Sequence, residues 1–218
     1  MADPRLFRLR VVFRKAGRLA LLSHLEVARA LERAVRRADL PFAVSQGFSP
    51  HMRIAFGAAL PVGVGGTSEF FDLFLTRYVP PEKALAALAQ ASAADLAPLS
   101  CAYVEHASPA ASVAFPVSTY EARLTCAVDR LAVPAEVTVV RKRKEKRLVV
   151  ADYLVGDLAV EGDRVTFALE AKPTGSLRPD VFMRACVEQA VAAGVLPADA
   201  RVIEITRTAQ RTHGGEML

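Results

Sequence analysis

Cysteine is scarce in this sequence, which has three cysteines among its 218 residues, at positions 101, 126 and 186. An odd number at wide spacing fits neither a disulfide framework nor a zinc site, where cysteines recur at short intervals. We therefore expect Cys101, Cys126 and Cys186 to be small buried hydrophobic residues, and we expect no metal ion or other cofactor.

Long apolar runs are missing as well. No segment reaches the ~18 uninterrupted apolar residues of a membrane-spanning helix. The first residues, Met1-Ala-Asp-Pro-Arg5, lack the apolar centre of a secretory signal. We expect a cytoplasmic protein that does not contact a membrane, with a folded core that the hydrophobic fraction of 52% can supply.

Acidic residues are outnumbered by basic ones, with 23 Asp and Glu against 28 Lys and Arg. The net charge is +5 and the isoelectric point about 9.4. Such a balance favours an anionic partner. Because the sequence shows no basic amphipathic anchor, nucleic acid is the better candidate than a membrane surface.

The first half of the chain follows the order β-α-β-β-α-β, which predicts a ferredoxin-like domain over residues 5–106. Apolar periodicity places strands at 6–13, 54–60, 68–75 and 99–105 and helices at 24–38 and 80–91. Residues 61–66 read as a glycine-rich turn. Residues 107–117, rich in alanine, serine and proline, predict a linker.

Residues 118–210 predict a second α+β domain, an antiparallel sheet that could be a degenerate ferredoxin-like copy of the first. Its main helix is predicted at 179–193, and residues 213–218 are expected to fray. Residues 141–147 include six basic side chains and are predicted to form a mobile hairpin tip that could bind nucleic acid with little specificity. The same run could instead only keep a sheet edge soluble.

The first helix carries two features of interest. Ser23 and Glu26 have the spacing of a capping box, and His24 follows in the first turn, where it could contact a phosphate or act as a general acid or base. Alternatively, the pair only caps the helix and His24 is exposed. Further along, Arg29, Arg33, Arg36 and Arg37 share one edge that could hold phosphates or could simply be solvated.

Two further segments offer candidate residues. Residues 45–53 combine Gly47, Phe48, His51 and Arg53, which suits either a base-stacking or phosphate-binding loop or a turn with Phe48 in the core. Glu69 and Asp72 lie three apart on a strand, so they face opposite sides and do not form a paired-carboxylate site. We expect structural roles for both, with either one able to pair with an arginine of the helix.

Five segments together resemble a known family. They are 15–18 (Lys-Ala-Gly-Arg), 22–29 (Leu-Ser-His-Leu-Glu-Val-Ala-Arg), 33–41, 45–51 (Ser-Gln-Gly-Phe-Ser-Pro-His) and 69–72 (Glu-Phe-Phe-Asp). In order and spacing they are similar to the radical-SAM-linked bacterial domain family of unknown function. The basic stretch from Lys142 to Asp152 also resembles that family, so the likeness spans most of the chain.

The resemblance implies a free-standing member, because the chain has no CxxxCxxC motif to hold a radical SAM cluster. It therefore implies a separate radical SAM protein as partner. The genes of family members often lie near those of ribonuclease E/G and ribosomal proteins. That gene neighbourhood is an association with RNA or translation. The residues and the resemblance together favour a non-catalytic accessory that binds tRNA or rRNA for that enzyme. The residues predicted to contact RNA are Lys15, Ser23, Arg29, Arg33, Arg37, Ser45, Gly47, Phe48, Arg53, Lys142, Lys144 and Lys146.

Two alternatives remain open from the sequence. The chain could be an enzyme similar to the CRISPR repeat-processing endoribonucleases, with His24 or His51 as general base and Lys15 or Arg53 as the cation that stabilises the transition state. It could also be a pure protein-interaction module for the radical SAM partner. Whether it is catalytic depends chiefly on whether the two imidazoles share one cleft.

Overall fold

The computed structural model of the chain describes residues 6–105, 107–141, 144–172 and 175–218. It shows a mixed α+β protein in which strands pair mostly antiparallel and helices are few. The chain divides into two compact units, Met1–Phe115 and Pro116–Leu218. Within the described ranges, no helix is long and apolar enough to cross a membrane.

The first unit has its strands in the order β4-β1-β3-β2, with every neighbouring pair antiparallel. Its described elements are, in chain order, β1 (Phe7–Lys15), α1 (His24–Arg37), β2 (Ile54–Phe56), β3 (Val64–Leu75), α2 (Pro81–Ala91), β4 (Pro98–Tyr103) and the short α3 (Ala111–Ala114). The core lies between the helices and one face of the sheet, where Leu9, Val11 and Phe13 of β1 pack with α1 and α2.

Strand β3 begins earlier than the sequence predicts, because Gly65 and Gly66 lie inside it and are buried. The expectation of a glycine-rich turn over 61–66 is therefore wrong for its second half. The pairing with β1 extends to this point, where Gly66 lies opposite Lys15. A Cβ atom on Gly66 would come within 2.4 Å of Oε1 of Glu69. Glycine is needed here to make room for a carboxylate.

The segment 107–117 is also more ordered than a linker. It contains α3, in which Ala111 and Ala114 are buried. The guanidinium group of Arg8 donates hydrogen bonds to the carbonyl oxygens of Ser108 and Pro109, at 2.8 and 2.7 Å. These two bonds fix the segment against β1.

The second unit has its strands in the order β10-β5-β9-β8, again antiparallel throughout. A separate hairpin, β6-β7, follows β5. The described elements are β5 (Val117–Leu124), β6 (Glu136–Arg141), β7 (Lys144–Val149), β8 (Leu154–Glu161), β9 (Arg164–Glu170), α4 (Pro179–Ala192) and β10 (Val202–Arg211).

The core of the second unit is partly aromatic. Phe167 of β9 stacks on Tyr120 of β5 with 5.5 Å between ring centroids, and it contacts Phe182 of α4 at 5.1 Å. The predicted fraying of 213–218 is wrong, because the backbone N–H of Leu218 donates to the carbonyl of Gln210, and His213 contacts Glu170 at 2.9 Å. These contacts hold the last residues against the sheet.

Candidate nucleic-acid interface

Helix α1 begins with the capping box that the sequence predicts. The Ser23 hydroxyl accepts a hydrogen bond from the backbone N–H of Glu26 at 3.4 Å, and the backbone N–H of Ser23 donates to Oε2 of Glu26 at 2.8 Å. The hydroxyl also donates to that oxygen at 2.7 Å, and these bonds lower the pKa of Glu26. A carboxylate thus already lies at the helix N-terminus, and the phosphate contact of Ser23 stays a prediction.

Three titratable side chains converge below the start of α1. Lys15, His24 and Glu69 all line a cavity of about 30 Å³, together with Phe56 and the segment Gly57–Leu60. Lys15 is buried, and its ammonium group donates to the carbonyl of Val64 at 3.2 Å. The enclosed space has about the volume of one water molecule, so an RNA strand could reach these side chains only from outside the cavity.

His24 is half-buried in this cavity and not exposed. Its imidazole meets the ring of Phe56 edge-on, with 5.3 Å between centroids. Burial and then the charge of Lys15 lower the pKa of His24 below its usual 6.5, so the ring is neutral at physiological pH. A neutral imidazole beside a lysine has the protonation state that a general base requires.

Asp72 has a structural role on the opposite face of the sheet. It is completely buried, and its carboxylate accepts bonds from Arg8 at 2.7 and 3.0 Å and from Arg10 at 2.8 and 3.0 Å. Both arginines come from β1, so the expectation of an arginine from the helix is wrong for Asp72. The register explains this, because Arg10 lies directly opposite Asp72.

The arginine edge of α1 (Arg29, Arg33, Arg36 and Arg37) is exposed, and two of its four side chains already have partners. Arg36 pairs with Glu32 at 3.7 Å, and Arg37 donates to the carbonyl of Ala91 at the end of α2. In the part of the chain that the structure describes, Arg29 and Arg33 form no ion pair within 4 Å, although the charge of Arg29 helps to lower the pKa of Glu26. These two residues are therefore the available cations of the edge.

The loop 45–51 projects an aromatic ring into solvent. A bridge between Val44 and Met52 closes its base, and Ser45 and His51 exchange two hydrogen bonds of 2.8 and 3.0 Å. Gly47 has a φ of 125°, which favours glycine. Phe48 is fully exposed, so it does not fill the core, and its base-stacking role stays a prediction.

Arg53 and His51 lie apart from the His24 cavity. Arg53 is half-buried, with its guanidinium carbon 5.1 Å from the ring centroid of Phe74. His51 is exposed on the loop and is not among the described residues that line the cavity of His24 and Lys15. The described residues therefore do not place both imidazoles around one cavity.

The basic hairpin has longer strands than predicted. β7 begins at Lys144, which lies opposite Arg141, so much of the basic run belongs to strands and not to a tip. In β7 the side chains of Lys146 and Arg147 are exposed, which keeps their charges in water. Lys146 is exposed, whereas Lys142 lies outside the described residues and the structure describes no side chain for Lys144.

Comparison with known proteins places the chain in a family. The family described as "uncharacterized protein conserved in bacteria (DUF2344)" matches residues 8–179. This chain belongs to that family. No curated protein matches it.

Among solved structures, the DUF2344 chain is similar to one described as the crystal structure of a Cbf5-Nop10-Gar1 complex. The two are 14% identical, with a TM-score of 0.42. The match covers 93% of this chain and 48% of the other, so the DUF2344 chain spans about half the length of that protein.

The sequence does not predict the exposure of some apolar and aromatic side chains of the DUF2344 chain. Leu21 and Leu25, next to the capping box, are 66% and 67% exposed. Tyr78 is exposed and stacks on Tyr103 with 5.1 Å between centroids. Leu21 lies in the apolar run 19–22 and Leu25 lies outside the apolar stripe of α1, and the packing shows that both face solvent.

Proposed function

We propose that this chain binds single-stranded or looped RNA as a non-catalytic accessory protein. The observation that carries the proposal is the fully exposed ring of Phe48 at the tip of the loop 45–51. Leaving a phenyl ring in water is unfavourable, whereas a base stacked on it is worth about 1–3 kcal/mol in single-stranded nucleic acid complexes. Ser45, Gly47 and His51 shape and flank that loop.

Charge supports the same proposal. Arg29 and Arg33 are exposed cations on α1, and the chain carries a net charge of +5. Contacts of this kind attract phosphates without reading sequence. Lys15 is buried, Arg53 is half-buried and Arg37 already donates to Ala91, so we assign these three supporting roles. The phosphate contacts then fall to Arg29 and Arg33 of the helix and Lys146 of the hairpin.

The test is an affinity titration with a labelled single-stranded RNA. Phe48→Ala should weaken binding about tenfold to a hundredfold, because the stacking free energy is lost. Phe48→Tyr should keep the affinity, since it keeps the ring. The exposed position means that neither variant should change the unfolding midpoint. Equal affinity of Phe48→Ala and the parent protein would contradict the proposal.

The finer assignments belong to the same proposal. We infer that each unit is a variant of the ferredoxin-like fold, which the strand order β4-β1-β3-β2 and its counterpart β10-β5-β9-β8 support. We further infer that the RNA is tRNA or rRNA and that a separate radical SAM protein modifies it, on the basis of the sequence resemblance. A pull-down that recovers this enzyme only without nuclease treatment would support RNA-mediated contact.

A pure protein-interaction module predicts a different pull-down result. The exposed Leu21 and Leu25 would suit such a module. Equal recovery of the radical SAM partner after nuclease treatment, lost in Leu21→Ser with Leu25→Ser, would favour direct docking.

An enzyme is the second candidate, favoured by the cavity that Lys15, His24 and Glu69 share. In this function the neutral imidazole of His24 accepts a proton and the ammonium group of Lys15 offsets the negative charge that develops. Incubation of labelled RNA with the parent protein and with His24→Ala tests it. Cleavage by the parent that disappears in His24→Ala, with RNA affinity unchanged, would establish the catalytic function.

A further inference from the structure

A pocket of about 230 Å³ lies within the first unit, beside α1. The short helical turns Gly17–Leu21 and Ala94–Leu96, with the residues next to them, enclose it together with α1. Its volume is below the range of about 300–1,000 Å³ that is usual for clefts that bind drug-sized ligands. The pocket therefore suits a single side chain or a group of similar size.

The interior of this pocket is apolar. The side chains of Leu31 and Leu96 line it and are buried. Three half-buried side chains are accessible within it, namely Leu19, Leu22 and Ala30. Ala93 is exposed at its edge. An accessible apolar surface of this kind gains free energy when another apolar group covers it.

The charge on the rim is of one sign. Arg33 and Arg37 of α1 are exposed and line the pocket, and the described residues of the lining include no carboxylate. Within the described ranges, Arg33 forms no ion pair within 4 Å. Arg37 donates to the carbonyl of Ala91, and because a carbonyl is neutral this bond leaves its positive charge uncompensated.

The carboxylates on the elements that enclose the pocket lie outside its lining. Glu26 caps the start of α1, and Glu32 pairs with Arg36. Asp95 belongs to the turn Ala94–Leu96, but its carboxylate faces Gly17, with Oδ2 2.4 Å from the position that a Cβ atom there would take. The positive charge of the rim is therefore available to an anionic partner.

We propose that this pocket docks an acidic segment of a partner protein, with one leucine-like side chain inside and the neighbouring carboxylates on Arg33 and Arg37. The cations of the rim select an anion. The interior selects an aliphatic side chain over a nucleobase, because a base would bury its polar edges against leucine and alanine. Among the described lining residues there is also no aromatic ring on which a base could stack. Docking of this kind goes beyond the proposed RNA binding and does not depend on it.

The experiment is a titration of the isotope-labelled full chain, followed by the chemical shifts of its backbone amides. The probe is the blocked peptide Ser-Glu-Glu-Leu-Glu-Glu-Ser, which has one leucine between carboxylates. The amides of Leu22, Ala30 and Ala93 should shift, and those of the loop 45–51 should not. The same peptide with serine in place of leucine should bind about tenfold more weakly, because the burial of one leucine side chain is lost. Equal affinity of the two peptides would overturn the proposal.

The first variant closes the pocket. Ala93→Leu places a larger side chain at the exposed edge and should weaken peptide binding about tenfold. The matched control is Ala86→Leu, the same change at an exposed position of α2 outside the lining, which should bind as the parent does. The unfolding midpoints of both variants should equal that of the parent. A peptide affinity that is the same in both variants contradicts docking in the pocket.

The second variant tests the rim without altering the interior. Arg33→Gln should weaken peptide binding about twofold to fivefold, the effect expected of an exposed ion pair. Its control is Lys83→Gln, which removes an exposed cation of α2 outside the lining and should have little effect. An equal loss in both variants would mean that only the net charge matters, and the proposal would then be wrong.

Titrations with single-stranded RNA separate the pocket from the proposed function. Phe48→Ala should keep the peptide affinity, and Ala93→Leu should keep the RNA affinity. Peptide binding without any RNA binding overturns the proposed function alone. RNA binding that falls in Phe48→Ala, without any peptide binding, overturns the pocket assignment alone. RNA affinity that falls in Ala93→Leu would make RNA the occupant, which also overturns that assignment.

Discussion

At the scale of single residues, Asp72 is the group whose loss should cost most. Its carboxylate has no solvent exposure and accepts four bonds from Arg8 and Arg10. Removing its charge leaves two guanidinium groups buried against a neutral partner. Asp72→Asn should therefore lower the free energy of unfolding by about 3–5 kcal/mol, measured by urea denaturation.

The control for Asp72 is an ion pair of the same chemistry at the surface. Glu32 pairs with Arg36 at 3.7 Å across one turn of α1, and both side chains are partly solvated. Glu32→Gln should change the free energy of unfolding by less than about 0.5 kcal/mol. If Asp72→Asn proved as mild as this control, the buried network would not be a main source of stability.

His24 predicts a dependence of stability on pH. Its pKa in the folded chain lies below the usual value of 6.5. As the pH falls through 6.5, His24 becomes protonated in the unfolded chain while it is still neutral in the folded chain. The free energy of unfolding therefore decreases. Denaturation between about pH 8 and pH 5 should show this loss, and His24→Gln, which does not titrate, should show less of it. An identical pH profile in both proteins would contradict the shift.

The sequence predicts which face of the strand Glu69 and Asp72 occupy, but not the partners of Asp72 or the exposure of Phe48. The alternation of a strand correctly separates Glu69 from Asp72, which the structure places on opposite faces of β3. The partners of Asp72 could not be predicted, because they depend on the register between β1 and β3, and arginines recur on several elements of this chain. The exposure of Phe48 also depends on tertiary contacts, because the residue pattern of a loop does not show whether its tip packs on the core.

At the scale of elements, the capping box of α1 is a local feature and therefore readable from sequence. Ser23→Ala removes the acceptor for the backbone N–H of Glu26 and the donor to its carboxylate. The free energy of unfolding should fall by about 1 kcal/mol, measured by urea denaturation. Ser23→Asn, another good cap, should recover most of the loss. RNA affinity reduced in Ser23→Asn would show that Ser23 also contacts phosphate.

The elements that the sequence misplaces depend on distant contacts. β3 extends to Val64 because its first residues pair with β1, with Gly66 opposite Lys15. α3 is held by bonds from Arg8, a hundred residues away in sequence at Ser108. β7 reaches Lys144 because β6 pairs with it. Apolar periodicity carries no information on any of these contacts, whereas it predicts α1, α2 and α4 to within one or two residues.

At the scale of the whole molecule, the two units share one strand order, which the sequence suggests only as a degenerate copy. The β-α-β-β-α-β order of the first half is visible in its periodicity. In the second half the hairpin β6-β7 replaces the first helix, which hides the correspondence until the pairing is known.

The cysteines allow the two units to be followed in one experiment. Burial raises the pKa of Cys101, in the first unit, to about 11 and that of Cys186, in the second, to about 12. Since the thiolate is the reactive form, neither should react with a maleimide in the native protein at neutral pH. Cys186 is fully buried, whereas Cys101 is half-buried on β4. Labelling in increasing urea, read by peptide mass, should therefore modify Cys101 before Cys186. Simultaneous labelling of both would mean that the chain opens as one cooperative unit.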